Sequence, residues 1–338
     1  MKLKRGINLG GFLSQCNYKK EHYDTFILEE DLKKIADMGF DHVRFPVDAC
    51  VLTTEKGEVI ESGFGYVDRT VDWAAKYGLD IIIDLHKAYG YDFNDAGTEA
   101  NSLFSSEESM DRVTELWSII AKRYGKRENV AFELLNEVVE SELADPWNRL
   151  AKRLIRTIRA ESEAPIIYGG IQWNSAMTVK LLEKPEYDNI IYTFHFYEPL
   201  IFTHQKAYWV KNMDMEREVH YPESMDYYRE LSKELGYQGE GAAKSEAETM
   251  GPEFFERMIT EAVEAAEKNG VRLYCGEFGV IDRAPVEDTL RWFEDVDKVF
   301  RKYDIGCSVW SYKKMDFGIT DEHYAPILER LCKMWKRK

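Results

Sequence analysis

Eight short apolar runs, separated for the most part by helix-patterned segments, constrain this chain more than any other feature. They are Arg5–Leu9, His42–Pro46, Asp80–His86, a stretch opening at Val130, Pro165–Gly170, Asn189–Phe196, Arg272–Phe278 and Ile305–Tyr312. Each has the length and the β-branched and aromatic content of a strand buried on both faces. Pro46 is expected to close the second. Amphipathic helices are expected at Glu29–Met38, Tyr66–Tyr77, Ser109–Tyr124, Trp147–Glu161, Pro252–Asn269, Val286–Tyr303 and Tyr324–Trp335, the first three stopped by Gly39, Gly78 and Gly125. Alternation of this kind without a composition break predicts an α/β chain folded as one (β/α)8 TIM barrel domain over residues 1–338. A doubly wound open sheet is the competing architecture. It is disfavoured because GINLGG, after the first strand, is not a GxGxxG phosphate loop.

A barrel puts chemistry at the C-terminal ends of its strands, and the polar residues of these runs gather there: Arg44, His86, Asn136, Glu137, His195, Tyr197, Glu277 and Trp310. Two stretches share one build. VAFELLNEVV (Val130–Val139) is apolar until Asn136 and Glu137, and RLYCGEFGV (Arg272–Val280) is apolar until Glu277. Two carboxyls at the ends of two buried strands suit hydrolysis of a glycosidic bond, one protonated to donate to the leaving oxygen and one ionised to attack the anomeric carbon. Arg44 and Tyr197 are placed to hold one carboxyl ionised. Asn136 suits a sugar hydroxyl, Trp310 offers a flat platform for a pyranose ring, and His86 and His195 suit hydroxyls or the positioning of the acid. Each residue also has a plain structural reading: a strand-end histidine is commonly a hydrogen-bonded framework group, a strand Trp is commonly core, and a lone Arg makes an ion pair. Asp84 and Glu133 are further acids in the same strands that periodicity does not set apart. The joint pattern carries the functional reading.

The balance of 45 basic and 61 acidic residues, a net −16, disfavours nucleic acid and anionic membrane as partners. Five cysteines, an odd number without CxxC spacing, suggest neither a disulfide framework nor a zinc ribbon. Met1 leads straight into charged residues, so the chain reads as soluble and cytoplasmic, or as secreted if a leader has been removed. One interval breaks the repeat. Residues 199–251, between the sixth strand and its helix, are rich in charge, Tyr and Met, and read as an insertion over the active-site face, with a polar stretch at Gly236–Glu248 that suits a surface loop.

The stretches GINLGGFLSQ, HVRFPVD, DLHKA, AFELLNEV, YTFHFYEP, FTHQKAYW, LYCGEFGV and VWSYKKMDF resemble glycoside hydrolase family 5, in order and spacing and over nearly the whole chain, and within it the clostridial endoglucanase C type. The resemblance implies Glu137 as acid/base, Glu277 as nucleophile, and Arg44, Asn136, His195 and Tyr197 as their supports. It further implies retention through a glycosyl-enzyme intermediate, with no metal and no cofactor. Two departures stand out. Lys87-Ala88-Tyr89-Gly90 follows His86 where relatives often carry a second His and Ala-Pro-Gly, and Val138 follows the acid/base where many carry Pro. Expected sugar contacts are His86, Trp310, Trp173, Trp209, Asn17, Tyr91, Asn94, Asn174 and Lys314. The expected substrate is a β-1,4-linked or mixed-linkage β-glucan polysaccharide or oligosaccharide cut internally by a monomer. No attached binding module is evident, which favours soluble chains. Mannan, glucomannan or xyloglucan hydrolysis is the alternative within the family. A non-catalytic carbohydrate-binding barrel would have lost a glutamate, and a metal-dependent hydrolase using His86, His195 and an acid is disfavoured because the sequence has no HxH or HExxH pair.

Overall fold

The computed structural model describes residues 1–98 and 101–336; Glu99, Ala100, Arg337 and Lys338, within the span expected for the domain, lie outside the described residues. Its strands are β1 (Arg5–Asn8), β2 (His42–Asp48), β3 (Asp80–Lys87), β4 (Val130–Glu133), β5 (Ile166–Gly169), β6 (Ile190–Phe196), β7 (Arg272–Phe278) and β8 (Gly306–Val309). All pair in parallel with their sequence neighbours, and β8 closes on β1, with Gly6 opposite both His42 and Ser308. The competing open sheet is thereby overturned.

Period-two alternation sorts each strand's side chains. On β3, Ile81, Ile83 and Leu85 join the main core under the helices, while Ile82 belongs to a separate cluster with Leu3, Ala131, Ile167, Ile191 and Tyr274. Two residues past Ile82 on β3 and Ala131 on β4, the same alternation delivers Asp84 and Glu133; Arg44 reaches them from β2, where it stands opposite Ile82, and all three are 0% exposed. Above this apolar cluster the barrel interior is thus charged toward the C-terminal ends of β3 and β4.

Helices cover the outside with apolar stripes at helical spacing. In Ala144–Arg159 the buried apolar residues are Trp147, Leu150, Ala151, Leu154, Ile155 and Ile158, and the Trp147 indole donates to the carbonyl of Gly169 at 2.8 Å. Trp117, from the helix Glu107–Tyr124, likewise donates to Leu134 at 3.1 Å. Between β5 and β6 the helical layer is reduced to one 3-10 segment, Ala176–Leu181. The helix Pro252–Asn269 packs against it and is joined to it by Lys180 and Glu261 at 2.8 Å. No helix among the described residues is long and apolar enough to cross a membrane.

Several boundaries differ from expectation. β2 runs through Pro46, which stands opposite Asp84, because a proline removes only one ladder donor. β4 ends at Glu133 rather than at Asn136, yet Leu134 still donates to Ile167 (3.1 Å) and Asn136 to Leu85 (3.0 Å), so the chain stays extended to the functional pair. β8 is shorter than Ile305–Tyr312, and the last helix starts at Leu328 instead of Tyr324. Residues 199–251 form the helices Leu200–Thr203, Met225–Lys233 and Glu240–Ala243 and a 3-10 turn at Gly236–Gly239. Phe202, Tyr221 and Tyr228 give this segment a buried apolar centre, and Tyr221 stacks on Phe255 of the barrel helix at 6.2 Å and 4°.

The seam between β8 and β1 leaves no room for a side chain at Gly306, where a Cβ would lie 1.9 Å from the carbonyl oxygen of Leu3. Gly306→Ala is therefore expected to cost about 3 kcal/mol, read as a lowered urea midpoint with an unchanged slope. An unchanged midpoint would contradict a tightly packed seam.

Candidate active site

Arg44 is the centre of the site. Its Nε and one terminal nitrogen grip Glu133 at 2.7 and 2.9 Å. That same terminal nitrogen donates to Asn136 at 2.8 Å and lies 3.0 Å from Asp84; the other donates to Asn8 at 3.0 Å and to Glu277 at 2.7 Å. A planar fork with five N–H donors is the side chain that can serve so many acceptors at once. One guanidinium faces three buried carboxyls, so positive charge is in deficit. Burial pushes Asp84 up to about 7, against the opposing pull of Arg44, and raises Glu133 as well.

The two glutamates expected to react meet above this cluster. Glu277 accepts from Arg44 through one oxygen and from the Tyr197 hydroxyl, at 2.9 Å, through the other. Among the described residues Glu137 has a single side-chain hydrogen-bond partner, Nδ1 of His195, at 2.7 Å. His195 Nδ1 also lies 3.6 Å from Glu277, and one ligand atom from each of Glu137, His195 and Glu277 falls within 4.8 Å of the others. Carboxyls about 5–5.5 Å apart suit a double displacement, and gaps of about 6.5–9.5 Å suit inversion. Among the described residues, those three are also the cluster whose atoms gather closely enough to hold a cation, although a metal there would confront the Arg44 charge on Glu277. Burial raises Glu137 to about 7, with His86 and Arg44 pulling the other way. Burial likewise lowers His86 and His195 to about 4, so both imidazoles are neutral at neutral pH. With Glu137 protonated, its O–H donates to His195 Nδ1; with Glu137 ionised, the N–H donates back.

His86 donates from Nδ1 to Asp84 at 2.6 Å when its Nε2 accepts from the Gln15 amide at 3.2 Å. Its ring lies parallel to Trp310, 5.9 Å away and 3° from coplanar. The Asn136 amide nitrogen has no protein partner among the described residues and is not enclosed, leaving it for a ligand.

The remaining expected contacts divide. Trp173 is half-buried and Trp209 exposed, both beside the insertion or on it. Asn17, Asn94 and Lys314 are exposed on the loops after β1, β3 and β8. Tyr91 and Asn174 are framework rather than sugar contacts. The Tyr91 hydroxyl accepts from Val139 N–H (2.7 Å) and donates to Glu140 (3.2 Å), bracing the loop after Glu137. Asn174 is 0% exposed, caps Gly170 N–H at 2.7 Å, and accepts the His195 N–H on its own carbonyl at 2.8 Å. Sequence reasoning missed Asn8 and Gln15. Asn8 ends its strand, so the strand-end rule could have found it; Gln15 sits in a loop at φ +51 with no such signal.

Arg44→Met is expected to lower stability by about 3–5 kcal/mol, because it strands three buried carboxyls. An acid whose folded pKa is raised contributes stability below its unfolded value, about 4, that is lost as pH rises toward the folded value. The loss should therefore be larger at pH 8 than at pH 5 in urea unfolding. An equal loss at both would contradict the charge account.

Comparison with known proteins gives the family. The family described as Cellulase (glycosyl hydrolase family 5) matches residues 5–316. The chain is 40% identical to Endoglucanase C of Acetivibrio thermocellus over 341 residues, covering 99% of this chain and 98% of that one. It is 41% identical to Cellodextrinase A of Ruminococcus flavefaciens, covering 89% and 83% respectively. Among solved structures, Cel5A of Thermotoga maritima in complex with cellobiose superposes with a TM-score of 0.75 at 26% identity, covering 98% of this chain and 97% of that one.

Proposed function

The chain belongs to glycosyl hydrolase family 5 and is a glycoside hydrolase, and we propose that it cuts β-1,4-linked glucan internally, with Glu277 as nucleophile and Glu137 as acid/base. The unequal surroundings of the two carboxyls carry this reading. Glu277 takes one hydrogen bond from Arg44 and one from Tyr197, the partners of a carboxylate, whereas Glu137, among the described residues, meets a neutral imidazole alone and is raised to about 7.

The chemistry runs in two displacements. An oxygen of Glu277 attacks the anomeric carbon and the C–O bond to the leaving sugar breaks. Its electron pair goes to the glycosidic oxygen, which takes the proton of Glu137. Forming the ester removes the Glu277 charge, and without that neighbouring negative charge Glu137 holds its proton less tightly. It is then suited to take a proton from water as the water attacks the anomeric carbon and releases Glu277. Trp310 supports the reacting ring, and the open amide of Asn136 takes a hydroxyl of that sugar. The names of the relatives, endoglucanase and cellodextrinase, support β-1,4-glucan and its oligosaccharides as substrate.

Purified enzyme on soluble β-1,4 and mixed-linkage glucans should lower viscosity early and release a ladder of oligosaccharides. Hydrolysis confined to mannan or xyloglucan would overturn the substrate. Glu277→Gln should lose on the order of 10⁴-fold or more in kcat with the fold intact. Glu137→Ala should lose about 10²–10⁴-fold on glucan and far less on an aryl glycoside with a good leaving group. Equal losses on the two substrates would contradict the acid role.

The pH profile follows in sign. Glu137 donates while protonated, so kcat/KM on glucan should fall as pH rises through about 7. A profile flat to pH 9 would contradict it.

A further inference from the structure

The order of strands around the barrel gives the bound chain a direction. Trp310 follows β8 and His86 lies on β3, so the ring held there occupies the arc from β8 through β1 and β2 to β3. Glu137, which serves the leaving oxygen, follows β4. The leaving chain therefore departs across β5 and β6.

Two features of that arc are unexplained by the catalytic step. Gln172, Trp173 and Asn174 all have positive φ (55°, 56° and 54°), three consecutive non-glycine residues in the left-handed region. Such backbone persists where the surroundings fix it. Here Trp173 N–H donates to Val138, next to Glu137, at 3.2 Å, and the Asn174 carbonyl accepts from His195 at 2.8 Å. The strained turn thus registers the Trp173 indole against the acid and its histidine.

The second feature is Tyr237, carried by the inserted 3-10 turn. Its ring lies 6.0 Å from Trp173 at 38° and remains 48% exposed. The turn is anchored: a Cβ on Gly239 would fall 1.9 Å from the Ser232 carbonyl oxygen, and one on Gly241 2.8 Å from a carboxyl oxygen of Glu198, two residues past the end of β6. A tyrosine on an anchored turn with about half its surface open keeps part of its ring available to a ligand. Two leaning rings, each partly open, make a shallow apolar trough with a hydroxyl at one edge. That shape suits the flat C–H face of a pyranose whose hydroxyls point outward around its rim.

We propose that Tyr237 and Trp173 together form a glucosyl-binding subsite on the leaving-group side, added to the barrel by the insertion. The subsite rests on the β-1,4-glucanase reading and deepens it: the enzyme favours chains that extend beyond the scissile bond far enough to reach Tyr237.

The test uses cellohexaose labelled at its reducing end with ¹⁸O, with the frequency of cleavage at each bond read by mass spectrometry. Losing a leaving-side subsite moves productive binding toward the reducing end. Tyr237→Ala should shift the ratio of reducing-end-proximal to central cleavage by about 3- to 10-fold, the scale of one aromatic contact. Tyr237→Phe, which keeps the ring, should retain the wild-type ratio. Cleavage by the wild type with the same ratio in Tyr237→Ala overturns the subsite alone, as does a fall in rate without a change in ratio. Failure of the wild type to cut cellohexaose overturns the glucanase reading and the subsite with it.

Discussion

The site depends on one buried ion cluster, Arg44 among Asp84, Glu133 and Glu277. A guanidinium without solvent needs carboxylates, and carboxylates without solvent need it more, so removing either side leaves an uncompensated buried charge. The fork orders the reactive groups directly: the same side chain fixes Glu277, the Asn136 amide oxygen and Asn8. Glu133, which takes two hydrogen bonds from the fork, is a structural acid; its function is to aim Arg44. Burial leaves Asp84 near 7 despite the pull of Arg44, and there it orients His86 and, through it, the ring that faces Trp310.

The proposed division of labour between Glu137 and Glu277 follows from which of them this cluster reaches. Both end buried strands, and both lie near His195. Only Glu277 touches the guanidinium, and only Glu277 receives the Tyr197 hydroxyl. Glu137 stands beyond the fork, against an imidazole that burial keeps neutral. Two chemically identical side chains are thus separated by environment alone, which is the requirement for an acid and a nucleophile to coexist at one pH.

Much of this was legible in the sequence because a barrel restricts where polar residues can stand. Arg44, His86, Asn136, Glu137, His195, Tyr197, Glu277 and Trp310 read as strand-end residues; Arg44 in fact lies inside β2, and Asn136 and Glu137 follow β4, yet the structure gathers all eight. What the sequence concealed was burial and partnership. Tyr91 and Asn174 look like sugar contacts on paper, yet each has its polar atoms committed to backbone or enclosed. The role of Glu133 was hidden because an acid in an apolar strand reads the same whether it grips an arginine or a substrate. Gln15 and Tyr237 lie in irregular segments, where no periodicity reports on what the side chain meets. The proline in β2 misled for a local reason: one missing donor does not end a ladder whose other bonds survive.

The central claim is that Glu277 forms a covalent bond to the sugar while Glu137, a few ångströms away, moves the proton. The stereochemistry of the first product reports on this most directly. Proton NMR of the anomeric signals during the first minutes of cello-oligosaccharide hydrolysis should show the β-anomer appearing first, with the α-anomer growing in only by mutarotation. Initial release of the α-anomer would mean a single inverting displacement and would contradict the account.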